Sequence, residues 1–252
     1  MNSIKIIKLV KANLVRIKIH KLLGVFANVF IYTGYLLKMS KWIDQNNSQL
    51  QTDDFYNSKV RHGERINLYQ FVSDLYELKN DPISYIEFGV GRGNSLRWWT
   101  SQNDSKSSKF WAFDTFEGLP EKYGAYDVGT FSLGGKFPDI DDARISFEKG
   151  LFQDSLLPVI KDIDFTKKVI VHMDGDLHPS TIFPFSILYP HLKEGDIILF
   201  DEFGVPAEEF RAFDDMLRAF YIKLKPIGAI NNYLQVAFEI TSIKSLAHLP
   251  KK

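Results

Sequence analysis

The sequence of 252 residues contains no cysteine. That excludes disulfides, thiolate zinc sites and cysteine nucleophiles, and it suits a reducing, cytoplasmic setting. Excess charge is missing too, since 31 basic residues balance 31 acidic ones. Bulk charge therefore gives no reason to expect a nucleic acid partner. There are no internal repeats and no low-complexity runs. The longest apolar run falls short of the roughly 20 residues of a spanning helix. It is not followed by the small-x-small cleavage pattern of a removed signal peptide. What remains is an ordinary globular composition, 45% hydrophobic and 25% charged, long enough for one large α/β domain with an extension.

The neutral total hides an asymmetry. Residues 1–41 hold Lys5, Lys8, Lys11, Arg16, Lys18, Lys21, Lys38 and Lys41 and no acid, so this segment is +8 and the remainder −8. Ile6, Ile7, Val10, Leu14 and Ile17 recur at helical spacing with Lys5, Lys8 and Lys11 off the stripe. Residues 22–37 are then almost continuously apolar. Two readings stay open: a peripheral anchor on an anionic membrane face, or a helical arm that packs on its own domain or on a second subunit of a homo-oligomer. Residues 44–59 read as a polar linker. The expected division is an extension with linker over 1–60 and a catalytic domain over 61–252.

The most informative stretch is Tyr85 to Ser95, Y-I-E-F-G-V-G-R-G-N-S. Ile83, Tyr85, Ile86 and Phe88 predict a buried strand. Gly89, Gly91 and Gly93 predict a turn, and a helix opens at Asn94. Strand, glycine turn and helix start form a cofactor site in doubly wound sheets. A dinucleotide fingerprint needs a glycine where Asn94 stands, and a phosphate loop needs a Lys that does not follow. The acid Glu87, two residues before the first glycine, repels a pyrophosphate and suits the ammonium of a methionyl group. Motif I of the class I S-adenosylmethionine-dependent methyltransferases is similar. Asp114 closes the next predicted strand, 21 residues beyond Gly93, where a carboxylate accepts both hydroxyls of a ribose.

Further along, residues 117–144 form a long, glycine-rich loop of the kind that lines binding sites. Predicted strands follow at 145–147, 168–173 and 195–200, with helices near 150–160, 180–192 and 208–220. Asp154 or Ser155 is the expected cap of the first of these helices. Two last strands, 222–227 and 233–240, are joined by a predicted G-A-I-N-N turn. This alternation predicts a mostly parallel sheet with helices on both faces and a C-terminal antiparallel hairpin. Asp174 and Asp201 each follow a strand, 27 residues apart, on the edge where open α/β sheets bind ligands. With Glu202 they supply hard oxygen ligands of the kind Mg²⁺ prefers.

Four ordered motifs carry a resemblance: E-F-G-V-G-R-G-N-S, F-D-T-F-E-G-L-P-E from Phe113, K-G-L-F-Q-D-S-L from Lys149, and H-M-D-G-D-L-H-P-S-T from His172 followed by D-E-F at Asp201. Over roughly residues 61–240 they resemble the macrocin O-methyltransferase family. The resemblance implies a Rossmann-like seven-stranded fold and methyl transfer from S-adenosylmethionine to a hydroxyl, in relatives often on a sugar of a natural product or glycan. It implies Glu87, Gly89, Gly91, Gly93 and Ser95 around the methionyl part, Asp114 on the ribose, and Phe152 and Gln153 beside the adenine. It also implies Mg²⁺ on Asp174, Asp201 and Glu202, although relatives usually carry Asp at the last position. For proton removal His178 ranks first, with Asp174 beside it in the catalytic set and His172 and His62 as other candidates. Asp176 reads as a support of the turn. The competing expectations are a nicotinamide-dependent oxidoreductase and a non-catalytic module that keeps the fold.

Overall fold

The computed structural model describes residues 3–243. Seven strands form one sheet in the order β3-β2-β1-β4-β5-β7-β6. They are β1 Ile83–Phe88, β2 Lys109–Asp114, β3 Ile145–Lys149, β4 Lys168–Met173, β5 Ile197–Phe200, β6 Lys223–Ile230 and β7 Gln235–Ser242. The first five run parallel, while β7 pairs antiparallel with both β5 and β6. This is the expected mostly parallel sheet with its antiparallel C-terminal hairpin.

Strand alternation sends successive side chains to opposite faces. Tyr85 on β1, Phe110 on β2 and Ile170 on β4 join Leu68, Tyr69, Leu96 and Trp99. These come from helices α4 (Arg65–Leu75) and α5 (Asn94–Gln102). Ile86, Phe88, Phe113 and Val171 point the other way, toward α6 (Phe152–Val159), α7 (His178–Leu188) and α8 (Glu209–Ala219).

Before the sheet come α1 (Ser3–Arg16), α2 (His20–Leu23) and α3 (Ala27–Asn46). Their two ends behave differently. From Tyr35 onward α3 lays Tyr35, Met39, Trp42 and Ile43 against the α8 side of the core. Trp42 sits 5.0 Å from Phe203 and 5.4 Å from Phe213, centroid to centroid. Residues 3–34 are exposed except for half-buried Ile19. The arm thus packs on its own domain only through its last part.

Several local expectations change. The segment 44–59 is not a free linker. Its first residues continue α3, and the rest is tied to the hairpin. Gln51 N–H donates to Ile227 O at 3.1 Å and Ala229 N–H donates to Thr52 O at 3.0 Å. Asp54 accepts from the N–H groups of Asn231 and Asn232, each at 3.0 Å. The hairpin turns at residues 231–234 rather than at G-A-I-N-N, because Gly228, Ala229 and Ile230 are paired in the ladder. Neither Asp154 nor Ser155 caps α6: both lie inside it, and its N-cap residue is Leu151 with no side-chain cap.

Candidate functional site

The carboxyl ends of β1, β2, β4 and β5 are drawn together by hydrogen bonds just past the strands. Gly89 N–H donates to Phe113 O, Asp174 N–H to Phe88 O and Asp201 N–H to Met173 O, each at 2.9 Å. The strand order reverses direction between β1 and β4, so a crevice opens there. It holds a cavity of about 860 Å³ whose wall includes Gly89, Gly91, Asp114, Phe152, Gln153, Asp174, Asp201 and Glu202. That volume is in the range of a cofactor site.

At the first turn all three glycines have positive φ. Gly89 has a second constraint: a Cβ there would stand 1.8 Å from the carbonyl oxygen of Asp174. The Asp114 carboxylate fixes the turn from the next strand. Its Oδ2 accepts from the N–H groups of Val90 and Gly91, both at 2.8 Å, and its Oδ1 accepts from Phe116 N–H at 2.6 Å. The acid expected to reach a ribose is therefore also the clamp that holds the glycine turn at the cavity rim.

Glu87 and Ser95 are placed differently from the expectation. Both are buried beneath the turn and bonded to each other, and neither is on the cavity wall. Burial raises the Glu87 pKa, against the opposing pull of nearby His172. Its Oε2 has no hydrogen-bond partner among the described residues. Glu87 thus lies beneath the turn, bonded to Ser95. Gly93 lies at the start of α5 and is also off the wall.

On the other side of the crevice the acids are crowded. Asp174, Asp176, Asp201 and Glu202 all line the cavity. Ligand atoms of His172, Asp174 and Asp201 lie within 4.8 Å of one another. Glu202 is outside this trio, so the set expected for a metal, Asp174, Asp201 and Glu202, is brought together only in part. Arg65, at the start of α4, faces both aspartates. Its Nη1 donates to Asp201 Oδ2 at 2.7 Å and lies 3.4 Å from Asp174 Oδ2. Sequence reasoning missed this arginine, which stands off the apolar stripe of α4 and more than a hundred residues from its partners.

The electrostatics follow from this arrangement. Burial raises the pKa of Asp174, and the charge of Asp201 adds to it. Burial, with Asp201 and Asp176 beside it, pushes Glu202 up to about 8, and burial with Asp201 pushes Asp176 up to about 6. Asp201 goes the other way: burial opposes its charge, but His172 and Arg65 outweigh that and lower its pKa. Burial likewise works against the Arg65 charge, and Asp201 and Asp174 more than compensate, so its pKa is raised.

The histidines separate. His178 does not face the cavity. It starts α7, where its ring lies 2.9 Å from Asp215 Oδ2 on α8, and it is not part of the wall. The ring is drawn to an acid on the neighbouring helix, away from the cavity it was expected to face. His172 is buried, with Nδ1 2.7 Å from the Tyr85 hydroxyl and Nε2 3.8 Å from Asp201 Oδ1. His62 does line the cavity, as do Tyr123, Tyr126 and Phe131 of the long loop. That loop is folded on itself: Leu119 N–H donates to Thr130 O at 3.0 Å, and Gly129 N–H to Leu119 O at 2.9 Å.

The sheet order, with its antiparallel C-terminal hairpin, is that of a Rossmann-like methyltransferase fold. Among proteins of that fold, the chain resembles the macrocin O-methyltransferases: the model of that family (Macrocin-O-methyltransferase, TylF) matches residues 135–237, a span that contains Asp174, Asp201 and Glu202. Demethyldecarbamoylnovobiocin O-methyltransferase of Streptomyces niveus is 25% identical over 177 residues, 60% of this chain and 66% of that protein. The 8-demethyl-8-(2,3-dimethoxy-alpha-L-rhamnosyl)-tetracenomycin-C 4'-O-methyltransferase of Streptomyces olivaceus is 24% identical over 147 residues, 50% of this chain and 55% of that protein. The chain thus spans less than two thirds of the length of each. Two solved structures share the fold. The O-methyltransferase NovP has a TM-score of 0.52 at 22% identity, covering 70% of this chain and 79% of its own. The calicheamicin methyltransferase CalS11 has a TM-score of 0.54 at 18% identity, covering 71% and 80%.

Proposed function

We propose that residues 61–252 form an S-adenosylmethionine-dependent O-methyltransferase acting on a hydroxyl of a sugar or other natural-product acceptor. One observation carries the reading. A single cavity joins a glycine turn clamped by a ribose-type acid, Asp114, to a cluster of acids at the ends of β4 and β5. The first half suits a nucleoside with a methionyl chain, and the second half suits a hydroxyl that must lose a proton. The relatives are O-methyltransferases of natural-product pathways by name, which supports the acceptor class. They give no support to an oxidoreductase or a non-catalytic module.

In the reaction the sulfonium–methyl bond breaks as the oxygen–methyl bond forms. The products are the methyl ether and S-adenosylhomocysteine, and the hydroxyl proton passes to a base. Without a cation in the site, Asp174 is the base we assign; where a cation is held, the same carboxylate would serve as its ligand instead. It stands on the cavity wall at the end of β4, and burial raises its affinity for a proton. Phe152, Gln153 and the long loop line the cavity and supply walls against which the two reactants can be oriented.

The residues present are compatible with a divalent cation. Asp174, Asp176, Asp201 and Glu202 stand together on the cavity wall, with Arg65 paired to Asp174 and Asp201, and hard oxygens are what Mg²⁺ takes. Asp174 and Asp201 would hold it, with Glu202 beside them, and it would lower the pKa of a bound hydroxyl. Arg65 bonds the same Oδ2 atoms, so it competes with the cation for them. The test is transfer of labelled methyl from S-adenosylmethionine to a panel of glycosylated acceptors, with Mg²⁺ and with excess EDTA. The expected result is transfer that falls about a hundredfold in EDTA. Full transfer in EDTA would remove the metal, and no transfer to any hydroxyl acceptor would remove the reading.

A further inference from the structure

The segment least used by the site is the N-terminal arm. Along α1 the side chains of Ile4, Ile7, Val10 and Leu14 are all exposed, and Lys5, Lys8 and Arg16 stand around the opposite side at helical spacing. Past the break at Lys18 the chain turns strongly apolar: Leu22, Val25, Val29, Phe30 and Leu37 are exposed, Val25 at 82%. Monomeric soluble proteins rarely leave so large a contiguous apolar surface uncovered.

We propose that residues 3–34 are a monotopic anchor that docks this chain on an anionic lipid bilayer. Charge selects that occupant. Six basic residues, Lys5, Lys8, Lys11, Arg16, Lys18 and Lys21, accompany the exposed apolar surface without a single acid. The rest of the chain carries the compensating negative charge. Two copies of so basic an arm repel each other, whereas phosphate headgroups attract it. An amphipathic helix with a basic face and apolar residues opposite is the interfacial type.

Length sets the mode of attachment. Residues 20–49 are the one described segment long and apolar enough to cross a membrane, with none of the apolar window buried. Yet α3 is engaged with the folded domain from Tyr35 onward, through Trp42 against Phe203, Phe213 and Phe238 and through Lys38 to Asp214 at 2.8 Å. Residues 20–34 are what is left for lipid, about 20–25 Å at helical rise, against a hydrocarbon core of roughly 30 Å. The free part is too short to span while the domain stays folded on α3. It therefore lies in the interface, and the docked half of α3 sets the height of the domain above it.

The experiment is co-sedimentation of the full chain with vesicles of phosphatidylcholine containing about one-third phosphatidylglycerol, compared with phosphatidylcholine alone. Binding to the anionic vesicles should weaken as salt rises. The variant K5E/K8E/K11E should lose more than tenfold in vesicle affinity. V29D/F30D should lose the fraction that survives high salt. K106E/K161E/K223E, with the same change in net charge at exposed sites on the domain, should bind like the parent chain. The proposal is overturned if K5E/K8E/K11E binds as tightly as the parent, or if the chain stays in the supernatant. Light scattering that shows a dimer dissociated by V29D/F30D, without vesicle binding, would assign the arm to a second copy instead.

Discussion

Burial, then the charges of Asp201 and Asp176, push the Glu202 pKa up to about 8, with Arg65 opposing. An ordinary Glu titrates near 4.3, so between about 4.3 and 8 the folded chain binds a proton that the unfolded chain has released. Stability from this group is therefore lost as pH rises through that window. Glu202→Gln cannot ionise. In metal-free buffer it should match the parent near pH 5 and exceed it near pH 8, by on the order of 1–3 kcal/mol after allowance for solvent screening. Melting curves at the two pH values check this, and an equal difference at both would refute it. Asp114, Asp174 and Asp201 were legible in the sequence because strand ends and spacing mark them. Arg65 was not, since no local pattern signals a partner 109 and 136 residues away. The placement of His178 was not legible for the mirror reason: its motif position suggested the cavity, while a tertiary neighbour, Asp215, holds its ring.

At the scale of elements, the turn between β1 and α5 joins the two halves of the site. Gly89 is required there by φ of +93° and by the Asp174 carbonyl, which a Cβ would meet at 1.8 Å. Gly89→Ala should push the ends of β1 and β4 apart. The expected cost is about 2–4 kcal/mol of stability, together with weaker cofactor binding, measured by denaturant unfolding and by ligand titration. Loss of neither would mean that the turn adapts freely. The glycine turn could be read from sequence because strand, turn and helix start follow one another locally. The last hairpin could not. Gly228 looked like a turn residue, but it admits Thr52 and Leu68, whose side chains would lie 2.9 Å from a Cβ there. The actual bend uses Asn231, Asn232 and Tyr233 at positive φ. Asp54, which accepts from Asn231 and Asn232, lies in a stretch whose polar composition suggested only a linker.

For the whole molecule, the mostly parallel sheet with its closing antiparallel hairpin could be anticipated, because β–α alternation ending in two adjacent strands leaves few architectures. The arm could not be settled from sequence, since packing and lipid burial select the same apolar residues. Binding of S-adenosylmethionine in the crevice between β1 and β4, through the glycine turn and Asp114, is what the proposed function rests on. Its most direct test is calorimetric titration of the full chain with S-adenosylhomocysteine, with NAD in parallel. The predicted result is one site for S-adenosylhomocysteine and no comparable binding of NAD. Asp114→Asn should weaken that site by roughly 1.5–3 kcal/mol, as expected for charge-assisted hydrogen bonds, while Asp201→Asn leaves it nearly unchanged. Equal binding of NAD, or an Asp114→Asn variant that binds S-adenosylhomocysteine as tightly as the parent, would contradict it.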